Sequence, residues 1–184
     1  QFALVSWDGC TLANTEKLDQ LSRKLAPSQD AISTAAENSD LRQRARWYNQ
    51  VVSGPSVLAQ LTAAPLSLSY AEASSRLEGA LVGPVRRDAE GRSLGDHTRT
   101  TCLIVYLSAE ATKDNKTMRQ AVEKITDIAA NECAIRRETI HMGGPPVENI
   151  AIDFEATHTI VQLSSCAGLF GFGLAFICFR SFKI

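Results

Sequence analysis

The side chains able to do chemistry are few and lie far apart. The three histidines, His97, His141 and His158, are scattered, and none has a Glu or Cys at the i, i+4 spacing that would put two metal ligands on one helix face. Of the five cysteines, Cys10 follows the first predicted strand in a turn, where a nucleophile would be accessible, but no base adjoins it in sequence. Cys102 and Cys133 show no C-x-x-C spacing and read as core residues, while Cys166 and Cys178 fall in an apolar run. Neither the Gly-rich dinucleotide fingerprint nor the phosphate-binding G-x-x-x-x-G-K-[ST] pattern is present. No catalytic, cofactor-binding or metal site is therefore expected, and the chain does not read as an enzyme.

Charge narrows the partners further. With 19 Lys+Arg against 20 Asp+Glu and a net charge of -1, there is no basic cluster of the kind that neutralises phosphates, so no nucleic acid is expected.

The elements alternate. Phe2 to Trp7 is a β-rich run closed by the turn pair Asp8-Gly9, and Leu18, Leu21 and Leu25 then recur at helical spacing between Asn14 and Pro27. Residues 28–46 are polar and alanine-rich with weak periodicity, broken at Asn38-Ser39. Trp47 to Val52 predicts a second strand, with short helices around Val57–Leu61 and after Ser69, the latter having capping-box form with Glu72. Ala80 to Val82 predicts a short strand and Thr100 to Leu107 a central one. Gly83 to Arg99 between them has the composition of a solvated hairpin loop. Met118, Val122, Ile125 and Ala129 give an amphipathic helix from Asn115 to about Cys133, before a strand at Thr139 to Met142. A right-handed β-α-β crossover follows if the strands at 100 and 139 are parallel, with Phe2 to Trp7 and its helix as the matching unit in the same sheet.

The chain ends on a different kind of segment. Ile160 to Phe179 carries no charge and is long enough, at about 1.5 Å per residue, to cross a hydrocarbon core of roughly 30 Å. The competing reading is a buried helix of a soluble domain, which rarely stays uncharged for so long. Arg180 and Lys183 follow the span, whereas Asp153, Glu155 and His158 precede it, so the positive-inside rule puts its C-terminal end in the cytoplasm and residues before it outside. Ala167, Gly171 and Ala175 lie four apart, with Ser164 and Gly168 beside them, and would let another transmembrane helix approach closely. Gly143, Gly144, Pro145 and Pro146 form a joint ahead of the span, glycines to turn the chain and Pro146 pre-set for the first turn of a helix. The expected division is an α+β extracytoplasmic domain over 1–145 and a connecting and transmembrane helix over 146–184. Gln1 begins no secretory signal, so the chain reads as a piece of a longer protein whose upstream part exports the domain.

Ser53-Gly-Pro-Ser-Val-Leu-Ala-Gln-Leu61, Arg76-Leu-Glu-Gly79, Thr101-Cys-Leu-Ile-Val-Tyr-Leu-Ser108 and His141-Met-Gly-Gly-Pro-Pro-Val-Glu-Asn-Ile-Ala-Ile-Asp153 together resemble the first extracytoplasmic loop of RND-superfamily exporters of the MMPL type. The resemblance covers nearly the whole chain. It implies a ferredoxin-like split β-α-β porter subdomain followed by a transmembrane helix, in a proton-driven exporter of lipids or other hydrophobic molecules. It further implies a bacterial inner membrane with the domain on the periplasmic side. The implied partners are the remaining transmembrane helices, the second porter domain of the same protein, the lipid bilayer and a hydrophobic or lipid cargo. No proton-relay residue carries over, because the span has no ionisable side chain apart from thiols. The alternative left open by the residues themselves is a stand-alone sensor or assembly domain anchored by its one C-terminal span.

Overall fold

In the computed structural model, which describes residues 1–26 and 39–180, two units stand out, Gln1–Val147 and Glu148–Ile184. The first is α+β. Its strand β1 (Phe2–Trp7) alternates as a half-covered strand should, with Ala3, Val5 and Trp7 buried and Phe2, Leu4 and Ser6 on the other face. Strand β3 (Leu103–Leu107) repeats the pattern with Leu103, Val105 and Leu107. Helix α1 (Thr15–Leu25) lays Leu18, Leu21 and Leu25 on that covered face, all fully buried. Each such leucine contributes about 1.5–3 kcal/mol over its exposed state.

Between them lie α2 (Ser39–Trp47), β2 (Tyr48–Ser53), α3 (Gly54–Thr62) and α4 (Tyr70–Arg76). After β3 come α5 (Asn115–Glu132), β4 (Ile140–Gly143) and α6 (Pro145–Arg180). Asp114 caps α5 by accepting from the Thr117 amide at 2.8 Å, and Ile125, Ile128 and Ala129 bury its apolar face in the main core.

The sheet order is β2-β3-β1-β4, with every neighbouring pair antiparallel. Strands β3 and β4 therefore run parallel on either side of β1 and are joined through α5, and β1 and β2 run parallel on either side of β3. Leu4 faces Ile104 on one side and Gly143 on the other. The expected placement of Phe2 to Trp7 and Thr100 to Leu107 in one sheet is met.

Three expectations need correcting. Trp47 closes α2 instead of opening a strand, because its ring is buried in the core from the helix end. Ala80 to Val82 is a turn with isolated bridges, since the amides of Leu81 and Val82 both donate to Leu77 O at 3.1 Å and wind the chain back onto α4. The strand expected from Thr100 begins at Leu103, because Gly83 donates to Thr100 O at 2.8 Å and the Thr101 hydroxyl to Leu81 O at 2.9 Å, engaging both residues with that turn. The break foreseen at Asn38-Ser39 falls half outside the described residues, and α2 starts at Ser39.

Candidate functional site

The joint that the sequence singles out is built on one glycine more than the other. Gly144 has φ +100°, and a Cβ added there would lie 2.9 Å from the backbone oxygen of Phe2 in β1, so both conformation and space require glycine. Gly143, pairing with Leu4 at the end of β4, has open space where a Cβ would go. Helix α6 begins at Pro145, one residue earlier than expected, and Pro145 and Pro146 occupy the turn in which missing N–H groups cost nothing. Pro146 is fully buried, and the Val147 amide closes the turn on Gly144 O at 3.0 Å.

Helix α6 is a single helix of 36 residues, about 54 Å long. It is long and apolar enough to cross a membrane, with a mean hydropathy of 1.8 in its most apolar stretch, none of it buried. Leu169, Phe170, Phe172 and Phe179 are each at least 75% exposed. A helix apolar all round has no favourable place in water. Ser165 donates to Val161 O at 2.7 Å, which satisfies its hydroxyl within the helix. Ala167, Gly171 and Ala175 all lie exposed along the helix, and Gly168 and Gly171 meet no atom within 4 Å of an added Cβ.

The groups that could do chemistry are not brought together. Among the described residues no three of His, Cys, Asp and Glu gather in a way that could hold a metal ion. Cys10 is buried, not displayed in its turn, and burial pushes its thiol up to about 11 despite hydrogen bonding near Trp7 and Ser6, so it stays protonated at neutral pH. His141 pairs with Asp8 at 3.1 Å on the surface, His97 sits in the 3-10 turn Asp96–Thr98, and His158 stacks on Phe154 at 6.5 Å. Cys133 is buried as expected, and Cys102 is half-buried.

No family model, curated protein or solved structure matches the chain. What the chain does must therefore be argued from its own geometry.

Two buried arginines were not legible as such in the sequence. Arg44 of α2 donates from Nε to Asp40 at 2.8 Å and from Nη1 to Glu132 at 3.2 Å and to Lys24 O at 3.3 Å, while Nη2 binds both carboxylates. Lys124 reaches Asp40 at 2.6 Å and Lys24 reaches Glu132 at 3.4 Å. Burial alone would raise the Asp40 carboxyl, but the hydrogen bonds from Lys124 and Arg44 outweigh it and hold it below its usual range. Arg44 is the first cause of the lowering at Glu132. Arg99, also buried, donates to Gly83 O at 2.8 Å and to Glu78 at 2.7 Å. It anchors the end of the loop read as wholly solvated.

Proposed function

We propose that this chain is the first extracytoplasmic domain and following transmembrane helix of an RND-type exporter resembling the MMPL class, moving lipids or other hydrophobic molecules at the expense of a proton gradient. The single observation that carries the reading is the helix α6: uncharged and exposed throughout Ile160 to Phe179, and following in sequence directly from a sheet unit through the Gly144 turn. An apolar exposed helix needs lipid around it, and its small-residue positions Ala167, Gly171 and Ala175 suit contact with further transmembrane helices of the same protein. The sheet unit, with its order β2-β3-β1-β4 and two interleaved β-α-β connections, suits a ferredoxin-like porter subdomain. In this reading the C-terminal end of α6 faces the cytoplasm and the sheet unit stands in the periplasm of a bacterial inner membrane.

The test is cargo movement by the full-length protein in inverted membrane vesicles loaded with a fluorescent lipid. Transport that needs an imposed proton gradient and stops with a protonophore is the expected result. No gradient-dependent movement, from a protein that is inserted and abundant, would leave the anchored sensor or assembly domain as the reading.

A further inference from the structure

We propose that the hairpin of α3 and α4 holds a binding site for one hydrocarbon chain, the alkyl or acyl tail of an amphiphile. A cavity of about 220 Å³ opens beside it, lined by Leu12, Pro55, Leu58, Ala59, Thr62 and Tyr70. None of these side chains is charged. The Thr62 hydroxyl is engaged with Leu58 O at 3.0 Å and Ala59 O at 3.1 Å, which leaves its methyl for the wall. Leu58 also belongs to a small apolar cluster with Ala73 and Val82, against which Leu12, Leu61, Leu68 and Leu77 pack, so the wall is continuous with a second, minor core.

The surroundings match the lining. No Asp, Glu, Lys or Arg stands between Arg46 and Glu72, whereas the loop from Gly83 to Arg99 is dense with charge. On the surface of the same hairpin Leu66 is 56% exposed and Tyr70 47%. A neutral site with an apolar approach takes an uncharged group and rejects an ion, because neither a carboxylate nor an ammonium would find a partner there.

Size decides how much of a ligand enters. The volume lies above the roughly 150 Å³ apolar cavity that holds a benzene and below the roughly 300 Å³ at which pockets begin to enclose drug-sized molecules. The site therefore takes the end of one tail and leaves the headgroup outside. The inference rests on the transport reading for the source of such a ligand.

The full chain in lipid nanodiscs is photolysed with a decanol probe carrying a terminal diazirine, and the adducts are mapped by mass spectrometry. Adducts on the hairpin peptides 55–70, displaced by plain decanol, are expected. Ala59→Trp, which fills the cavity, should lower them about tenfold while adducts on 160–179 stay constant. Should Ala59→Trp lose the fold, Thr62→Leu narrows the same cavity and is read in its place. Adducts confined to 160–179, hairpin adducts that plain decanol does not displace, or hairpin labelling unchanged in the folded variant would overturn the site. Efflux by the full-length protein with no hairpin labelling removes the site and leaves the transport reading; hairpin labelling without efflux does the reverse.

Discussion

At the scale of single residues the sheet unit depends on charges placed where apolar side chains would be expected. Arg44 is buried, yet its guanidinium is met on every donor, so removing it takes a cation from between two carboxylates and leaves Asp40 to Lys124 and Glu132 to Lys24. Truncating one member of a fully buried pair costs about 3–5 kcal/mol; Asp40 and Glu132 keep part of their exposure, so Arg44→Ala should destabilise the unit by about 2 kcal/mol. Both tryptophans, Trp7 and Trp47, are buried in this unit, and their fluorescence during denaturant unfolding reports it alone. The same cluster sets a pH dependence. Asp40 and Glu132 titrate lower in the folded chain than in the unfolded one, so their stabilisation is complete above the unfolded values of about 4 and is lost as pH falls through the folded ones. Unfolding midpoints should hold steady from pH 7 to 5 and drop below about pH 4, and the drop should be shallower in Arg44→Ala. An equal drop in the variant would show that other groups govern acid unfolding.

At the scale of elements, periodicity was legible wherever the core contact is apolar. Leu18, Leu21 and Leu25 mark α1, and Met118, Val122, Ile125 and Ala129 mark α5, because each buries a stripe of methyl-rich side chains at 3.6-residue spacing. Helix α2 was illegible for the opposite reason: besides Trp47 its buried residue is Arg44, whose partner Glu132 is 88 positions away, and no local pattern encodes that pairing. The turn at Ala80 to Val82 escaped because three apolar residues look alike in a strand and in a turn tucked under Thr101. Of the candidate site, the long apolar helix and the Gly-Gly-Pro-Pro turn ahead of it were visible in composition, but the unequal settings of the two glycines were not. That inequality is testable. Gly144→Val forces a β-branched residue to φ +100° against Phe2 O and should destabilise the sheet unit by about 2–4 kcal/mol, whereas Gly143→Ala, with open space, should stay within about 1 kcal/mol of the parent. Comparable losses at both positions in tryptophan-monitored unfolding would mean that the turn needs two flexible residues and not one positive φ.

At the scale of the whole molecule the length of α6 sets how much of it a bilayer can hold. Its 36 residues reach about 54 Å, and a hydrocarbon core of roughly 30 Å takes only about 20 of them. In the proposed reading the uncharged stretch 160–179 would take that share and leave 145–159, with Glu148, Asp153 and Glu155, in water. In that reading the flanking charges would choose the side, with basic Arg180 and Lys183 at one end and acidic residues at the other. The expected outcome in intact cells, with the native cysteines replaced, is that Ser93→Cys in the charged loop and Glu148→Cys in the first turn of α6 react with an impermeant maleimide. Phe172→Cys, within the hydrocarbon share, and Lys183→Cys should not react until the membrane is opened. The pattern separates three ideas at once. Reaction at Lys183→Cys with Ser93→Cys protected reverses the orientation. Reaction at Phe172→Cys from outside means that the apolar stretch is not in lipid at all, and the helix must then find its cover in protein. Protection of Glu148→Cys alone would place the start of α6 within the bilayer, and the span would be longer than its uncharged stretch.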